Sequence, residues 1–229
     1  MTGHSIVSGI QSFSEILKPP AGRGNDPGRP AIFSGNATDR AKTYNIIFAG
    51  VGGQGVITAS NILARAAISS GLDVRMYGSY GMSKRGGSVS AQVRMGPRVL
   101  NSSIEKGEAD LVVCLDLIEA VRWAPFLAEG GRLITSGALV PPAGKVIRDG
   151  GARHLAFIKG IHGTVVLDAE KLSGPAGSRG VNAVLLGAAS SVKGFPISAR
   201  TLEEVLRDEF GSGAGPVLAA FLKGAEALG

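Results

Sequence analysis

The sequence predicts an α/β protein, a three-layer α/β/α Rossmann-like domain with a mixed, mostly parallel sheet. Short apolar runs, typical of buried parallel strands, alternate along the chain with segments of helical periodicity. The 35 glycines fit the many tight turns of such a fold, and the 5% aromatic content fits a core packed by Ala, Val and Leu. At 229 residues and 44% hydrophobic, the chain can bury one sizeable core.

The chain divides where a Pro- and Gly-rich segment gives way to the first apolar run. Residues 1–43 are predicted to form an N-terminal arm or linker, partly disordered or wrapping a partner, because Pro and Gly interrupt any regular element there. An apolar stretch at 6–17 would anchor an arm of the second kind. Residues 44–229 are predicted to form the folded domain.

The most informative motif is a glycine cluster between the first predicted strand and the first predicted helix. Residues 45–49 (NIIFA) indicate a buried strand, and a helical pattern starts at Val56. The glycines between them have G-x-G-x-x-G spacing, which allows a tight turn and brings backbone N–H groups close to an anion at the positive end of the helix dipole. We therefore predict a phosphate or pyrophosphate cradle. Its residues are Gly50, Gly52, Gly53, Gln54 and Gly55.

A second glycine-rich stretch follows the second predicted strand, at 72–77. Residues 79–88 (SYGMSKRGGS) have neither strand nor helix periodicity and indicate a loop at the carboxyl end of a strand, where ligands gather in open α/β sheets. An arginine there could bind a phosphate or carboxylate bidentately, and paired glycines allow close approach. The alternative is a solvated basic turn. The residues assigned to the ligand are Ser83, Lys84, Arg85, Gly86 and Gly87.

A nicotinamide dinucleotide is disfavoured as the ligand. Folds that bind NAD carry an acidic side chain at the carboxyl end of the second strand, where it holds the ribose. Here that end reads Arg75, Met76, Tyr77 and Gly78, and the nearest acid, Asp73, stands at the beginning of the strand.

The remaining elements follow from short apolar runs and capping signals. The alternating segment 89–95 is expected to turn at 96–97 and pair with Val99 in an antiparallel hairpin. Asp116 is expected to cap a helix, Ser198 or Thr201 to start another, and Gly187 to mark close helix packing. Further strands are predicted at 109–115, 131–136, 145–147 and 164–167, and helices at 56–70, 117–123, 182–192, 202–210 and 215–228.

Several classes of site are excluded or disfavoured. Cys114 is the only cysteine, which excludes an internal disulfide and a cysteine-ligated iron–sulfur cluster within this chain, and it is predicted to be a buried structural thiol. The histidines His4, His154 and His162 lack metal-ligand spacing. The net charge of +6 comes from scattered basic residues, which does not favour nucleic acid. With no membrane span or signal segment recognised, we expect a cytoplasmic protein.

Four segments together resemble the gamma-type domain of the 2-oxoacid:ferredoxin oxidoreductase family, most closely the beta subunits of its indolepyruvate branch. They are GVGGQGV at 50–56, GMSKRGGSV at 81–89, the ADLVV strand at 109–113, and VNAVLLGA at 181–188. The resemblance covers about residues 44–192. Two features depart from the family pattern. The first is Lys84, where the family loop more often has Gln, and the second is the N-terminal arm.

The resemblance implies a role as one subunit of a larger enzyme. Such enzymes use thiamine diphosphate to convert a 2-oxoacid into acyl-CoA and CO2 and pass electrons to ferredoxin, and the resemblance to the indolepyruvate branch implies indolepyruvate or another arylpyruvate as the substrate here. Thiamine diphosphate, Mg²⁺ and 4Fe–4S clusters are then expected on a large partner subunit, and coenzyme A at this chain. The residues agree, because the chain has neither cluster cysteines nor a thiamine-binding motif, and no residue is assigned a catalytic role.

Two other interpretations remain open from the sequence. A nicotinamide-dependent oxidoreductase is favoured by the glycine spacing and disfavoured by the missing acid. A non-catalytic regulatory or assembly module is favoured by the arm and by the absence of catalytic groups.

Overall fold

The computed structural model describes residues 43–78, 86–141 and 146–228. These residues belong to one compact unit. The predicted arm lies, apart from Thr43, outside the described residues, and so do Ser83, Lys84 and Arg85 of the second glycine motif.

The described residues form a mixed sheet of six strands, in the order β2-β3-β1-β4-β5-β6. Strands β1, β4, β5 and β6 pair in parallel, whereas β3 is antiparallel to both of its neighbours. This confirms the predicted mixed, mostly parallel sheet. The strands are β1 (Tyr44–Val51), β2 (Asp73–Gly78), β3 (Ser88–Gly96), β4 (Ala109–Cys114), β5 (Leu127–Ser136) and β6 (Thr164–Leu167).

Helices cover both faces of the sheet, which confirms the three layers. Alternate residues of β1 divide between two cores: Ile46 and Phe48 enter the larger one, and Ile47 and Ala49 the smaller. In the part of the chain that the structure describes, five helices contribute to the larger core: α1 (Val56–Ser69), α4 (Ala169–Ser173), α5 (Gly177–Ser190), α6 (Ala199–Phe210) and α7 (Ala214–Glu226). The smaller core contains residues of α2 (Leu117–Trp123) and α3 (Ala152–Lys159).

The close helix packing predicted at Gly187 is present between α5 and α7. A Cβ on Gly187 would overlap the carbonyl of Phe221, and a Cβ on Gly224 would overlap the carbonyl of Val184. The two backbones therefore touch through paired glycines, and no larger residue fits at either position. This contact fixes α5 against the core, and α5 in turn contributes to the site described below.

The antiparallel strand at 88–96 has different partners from the predicted hairpin. Strand β3 pairs with β2 on one side and β1 on the other, and Val99 lies in irregular backbone, where its N–H donates to Asp73 Oδ2 over 2.9 Å. Alternation shows that one face of a strand is buried, but it does not select the neighbour. As a result β3 stands between β1 and β2, the two strands joined by α1.

The segment between the strands predicted at 145–147 and 164–167, to which the sequence assigned no element, contains a helix. This is α3, which begins after Gly151 in the left-handed region (φ 83°), with the carboxylate of Asp149 accepting from the N–H groups of Gly151 and Arg153. Residues 146–147 form no strand, and Lys145 lies outside the described residues. An Asp-Gly-Gly start before apolar residues of helical spacing was the available signal.

Candidate functional site

The glycine loop between β1 and α1 is closed on itself by hydrogen bonds. The N–H of Gln54 donates to the carbonyl of Val51 over 3.0 Å, and the N–H of Val51 donates to Gln54 Oε1 over 2.6 Å. A Cβ on Gly50 would lie 2.7 Å from that same Oε1, while Gly53 and Gly55 have φ values of 99° and 84°. Each of these three glycines is thus required by crowding or by backbone conformation.

The loop delivers the amino end of α1 to the carboxyl edge of the sheet. No described side chain caps this end, and its first turn contains no acidic residue. The intrahelical hydrogen bonds begin with the N–H of Ala59, which donates to Gly55 over 3.0 Å. The preceding N–H groups have no acceptor within the helix and carry the positive end of its dipole, which suits an anion.

The two glycine motifs meet in the fold. The N–H of Gly52 donates to the carbonyl of Gly87 over 2.8 Å, and the adjacent Gly86 has a φ of 81°. Strand β3 makes this contact possible, because it runs antiparallel to β1 and therefore starts where β1 ends. The structure thus places the described end of the second motif beside the first.

The same contacts narrow the predicted anion cradle. The N–H groups of Gly52 and Gln54 are both engaged inside the protein. The loop amides that have no acceptor among the described residues are those of Gly53 and Gly55, and the first turn of α1 adds further free amides of the same kind.

The crevice used by dinucleotides in similar sheets is occupied by Gln54. Strand order reverses between β1 and β4, and ligands of open α/β sheets bind at such a switch point. There the side chain of Gln54 lies against Gly50 and its Nε2 approaches the carbonyl of Leu115 at 3.5 Å. Asp73, the nearest acidic residue, is also engaged, because its carboxylate pairs with Arg75 (2.7 Å) and accepts from the N–H of Val99. Both contacts disfavour NAD.

A cavity of about 200 Å³ opens on the other side of the glycine loop, between α1, α5 and α6. The loop and α1 form one wall, α5 carries polar side chains into a second, and apolar residues of α1, α5 and α6 complete it. None of its lining residues carries a carboxylate. The lining residues are Gly53, Gln54, Gly55, Thr58, Ile62, Ser178, Arg179, Asn182, Ala183, Leu186, Leu206 and Phe210.

Asn182 connects this cavity to the glycine loop. Its Nδ2 donates to the carbonyl of Gln54 over 2.9 Å, and a Cβ on Gly55 would lie 2.5 Å from the same nitrogen. Asn182 lies in the segment 181–188 that carries part of the family resemblance, but no site role was predicted for it or for Arg179. Neither residue follows a strand, so the strand-end argument could not find them.

A buried polar cluster lies at the same edge of the sheet. Asp116 caps α2 as predicted, with Oδ1 accepting from the N–H groups of Ile118 (2.9 Å) and Glu119 (3.1 Å). Burial raises the pKa of Asp116 to about 6, and the Glu119 carboxylate adds to the effect. Glu119 accepts from Ser88 Oγ over 2.6 Å and pairs with Arg122. The cluster holds the first residue of β3 and with it the end of the second glycine motif.

The described residues were also searched for a reactive cysteine, a metal site and a membrane-spanning helix. Cys114 is fully buried, which confirms its predicted position, and burial raises the pKa of its thiol well above the usual value. No group of three or more His, Cys, Asp or Glu side chains in the described ranges could hold a metal ion. No helix there is long and apolar enough to cross a bilayer.

Comparison with known proteins gives consistent matches. The family model described as pyruvate ferredoxin/flavodoxin oxidoreductase matches residues 45–227. The chain is 37% identical over 183 residues to indolepyruvate oxidoreductase subunit IorB of Thermococcus kodakarensis, a match that covers 72% of this chain and 86% of the relative.

Solved structures share the fold. The pyruvate oxidoreductase subunit PORC of Thermotoga maritima matches with a TM-score of 0.61 at 24% identity, over 81% of this chain and 96% of that one. The 2-oxoglutarate:ferredoxin oxidoreductase of Magnetococcus marinus, solved with 2-oxoglutarate, coenzyme A and succinyl-CoA bound, matches with a TM-score of 0.63 at 23% identity. That match covers 82% of this chain and 31% of the other.

Proposed function

This chain belongs to the pyruvate ferredoxin/flavodoxin oxidoreductase family, and on that premise we propose that it is the coenzyme A-contacting subunit of a cytoplasmic, thiamine-diphosphate-dependent 2-oxoacid:ferredoxin oxidoreductase. The substrate is indolepyruvate or a related arylpyruvate, as the name of the relative from Thermococcus kodakarensis suggests. In the reaction the 2-oxoacid loses CO2, its acyl carbon is oxidised by two electrons that pass to ferredoxin, and the coenzyme A thiol loses its proton and takes the acyl group.

The observation that carries this proposal is the joining of the two glycine motifs beside an uncapped helix end. The hydrogen bond from Gly52 to Gly87 brings the described end of the second motif to the amino end of α1. A pyrophosphate placed there would accept from the amides of Gly53 and Gly55 and would meet the positive end of the helix dipole. Coenzyme A supplies such a group.

The catalytic cofactors are proposed to reside on a large partner subunit. A cluster needs accessible thiolates, and Cys114, the only cysteine of the chain, is completely buried in β4. The buried carboxylates Asp116 and Glu119 are engaged in capping α2 and holding Ser88. The work left to this chain is to bind and orient coenzyme A and to complete the active site of the partner.

Affinity purification of the full-length chain from its own cells tests the assembly. The chain should recover a larger subunit that contains thiamine diphosphate and iron–sulfur clusters, and mass measurement of the native complex should give the stoichiometry. The purified complex should then bind coenzyme A and reduce ferredoxin in the presence of an arylpyruvate. Recovery of the chain with no thiamine-containing partner would contradict the proposal, and so would a complex that does not bind coenzyme A.

A further inference from the structure

We propose that Glu119 is a positioning residue, and that its carboxylate sets the orientation of the second glycine motif by accepting the hydrogen bond of Ser88. It acts from the face of the sheet opposite to the cavity between α1, α5 and α6. The inference rests on the proposed function only for naming coenzyme A as the ligand that this motif serves. The contact itself follows from the burial of Glu119 and from its hydrogen bonds.

Glu119 carries its carboxylate in an unfavourable place. The residue is 3% exposed, and the adjacent residue at the start of α2, Asp116, is fully buried. A buried carboxylate lowers stability unless hydrogen bonds or a counter-charge offset the loss of water, and a second carboxylate nearby raises the cost. The ion pair with Arg122, at 3.3 Å on the same helix, offsets this cost only in part, because the arginine side chain is 55% exposed. A carboxylate at such a position indicates a specific contact.

That contact is the hydroxyl of Ser88. Ser88 Oγ donates to Glu119 Oε2 over 2.6 Å, the short distance expected for a hydrogen bond to a carboxylate. Helix α2 does not need this carboxylate for its own start, because Asp116 already caps it through the N–H groups of Ile118 and Glu119. The side chain of Glu119 therefore serves β3 rather than its own helix.

The side from which Glu119 acts keeps it away from a ligand at the glycine loop. Along β3, Ala91, Val93 and Met95 face the larger core, so the alternation of the strand places Ser88 on the opposite face. Helix α2 covers that face, whereas α1 and the cavity beside it lie on the side of the larger core. Glu119 can act on such a ligand only through Ser88.

Two hydrogen bonds to different elements then hold the described end of the second motif. The N–H of Gly52 donates to the carbonyl of Gly87, and the next residue, Ser88, is bonded through its side chain to α2. One bond fixes the position of a chain but lets it turn, and a second bond also fixes its orientation. Without the side-chain bond the motif stays beside the glycine loop but must be ordered when the ligand binds, which lowers affinity.

Steady-state kinetics of the assembled complex tests this role. Ser88→Ala should raise the KM for coenzyme A by about tenfold, the effect of one lost hydrogen bond to a charged group, while kcat and the KM for the arylpyruvate change by less than about twofold. Glu119→Gln keeps an acceptor without the charge and should give a smaller rise. Ser88→Thr keeps the hydroxyl and should retain the wild-type KM.

Two further measurements separate orientation from general destabilisation. Ser191→Ala is the matched control, because it also removes a serine hydroxyl bonded to another element, here the carbonyl of Ala225, and it should leave the KM for coenzyme A unchanged. In the Ser88→Ala background, Glu119→Gln should raise that KM no further, since the bond is already lost. Hydrogen exchange of peptides that contain Gly52 should match the wild type in Ser88→Ala, because the main-chain bond to Gly87 remains.

Failure of this inference is distinguishable from failure of the proposed function. If the wild-type complex uses coenzyme A and Ser88→Ala leaves its KM unchanged, the role of Glu119 is overturned and the proposed function stands. The same conclusion follows if the two substitutions act additively, or if peptides with Gly52 exchange faster in Ser88→Ala, which would indicate local unfolding. If the wild-type complex neither binds nor consumes coenzyme A, both the proposed function and the inference are overturned.

Discussion

Replacing Asp116 by Asn is expected to change how the stability of the chain depends on pH. Asp116 is fully buried, and burial together with the Glu119 carboxylate raises its pKa from 3.8 to about 6 in the folded chain. The folded state therefore binds the proton more tightly than the unfolded state. This contribution to stability is complete below about pH 4 and is lost as the pH rises through about 6.

The expected magnitude follows from the size of the shift. A change of about two pKa units corresponds to about 3 kcal/mol of unfolding free energy. The Asn side chain keeps an acceptor for the N–H groups of Ile118 and Glu119 but cannot ionise. The unfolding free energy of Asp116→Asn minus that of the wild type should therefore become more positive by about 3 kcal/mol between about pH 4 and pH 7.

Urea unfolding of the purified chain, followed by circular dichroism across this pH range, measures the difference. Asp168→Asn is the matched control, because Asp168 caps α4 through the same kind of bond but is exposed. A difference between Asp116→Asn and the wild type that stays constant from pH 4 to pH 7 would refute the reasoning.

Three further changes test the glycines and the second motif. Gly55→Ala should lower the unfolding free energy by more than Gly53→Ala, as measured by thermal unfolding. Both substitutions place a side chain on a residue with positive φ, which costs about 1–2 kcal/mol, but only the Cβ at position 55 would also collide with a neighbouring side chain, that of Asn182. Gly187→Ala should destabilise the chain by at least 2 kcal/mol because its Cβ would overlap a carbonyl, whereas Gly215→Ala on open helix surface should be neutral or gain up to about 1 kcal/mol. Arg85→Ala should weaken coenzyme A binding by the complex about tenfold, and an unchanged affinity would assign Arg85 to structure or assembly.

The fold was predictable where a local pattern has one physical solution. The short apolar run before Gly50, followed by a glycine cluster and a helical pattern, indicated a buried strand that turns into a helix, and β1 and α1 lie there. The partners of β3 were not predictable in the same way. The alternating residues of β3 indicate that one of its faces is buried. Whether β3 pairs with the segment at Val99 or with β1 and β2 depends on tertiary contacts that no local sequence pattern encodes.

Part of the candidate site was likewise predictable from local sequence patterns, and part was not. The two glycine motifs were recognisable from their spacing after predicted strands. The hydrogen bond between Gly52 and Gly87 agrees with the expectation that loops at one edge of the sheet lie together. Arg179 and Asn182 reach the same place from a helix more than a hundred residues later. A single Arg or Asn in an apolar helix carries no spacing signal, so only the packing of α5 against the core reveals which way they face.

The bond between Gly52 and Gly87 joins two main chains and uses no side chain. Its formation therefore does not depend on which side chains stand at these two positions or beside them in the sequence. A sequence change in the rest of the second motif therefore does not require a change in the main-chain bond that holds Gly87 beside Gly52.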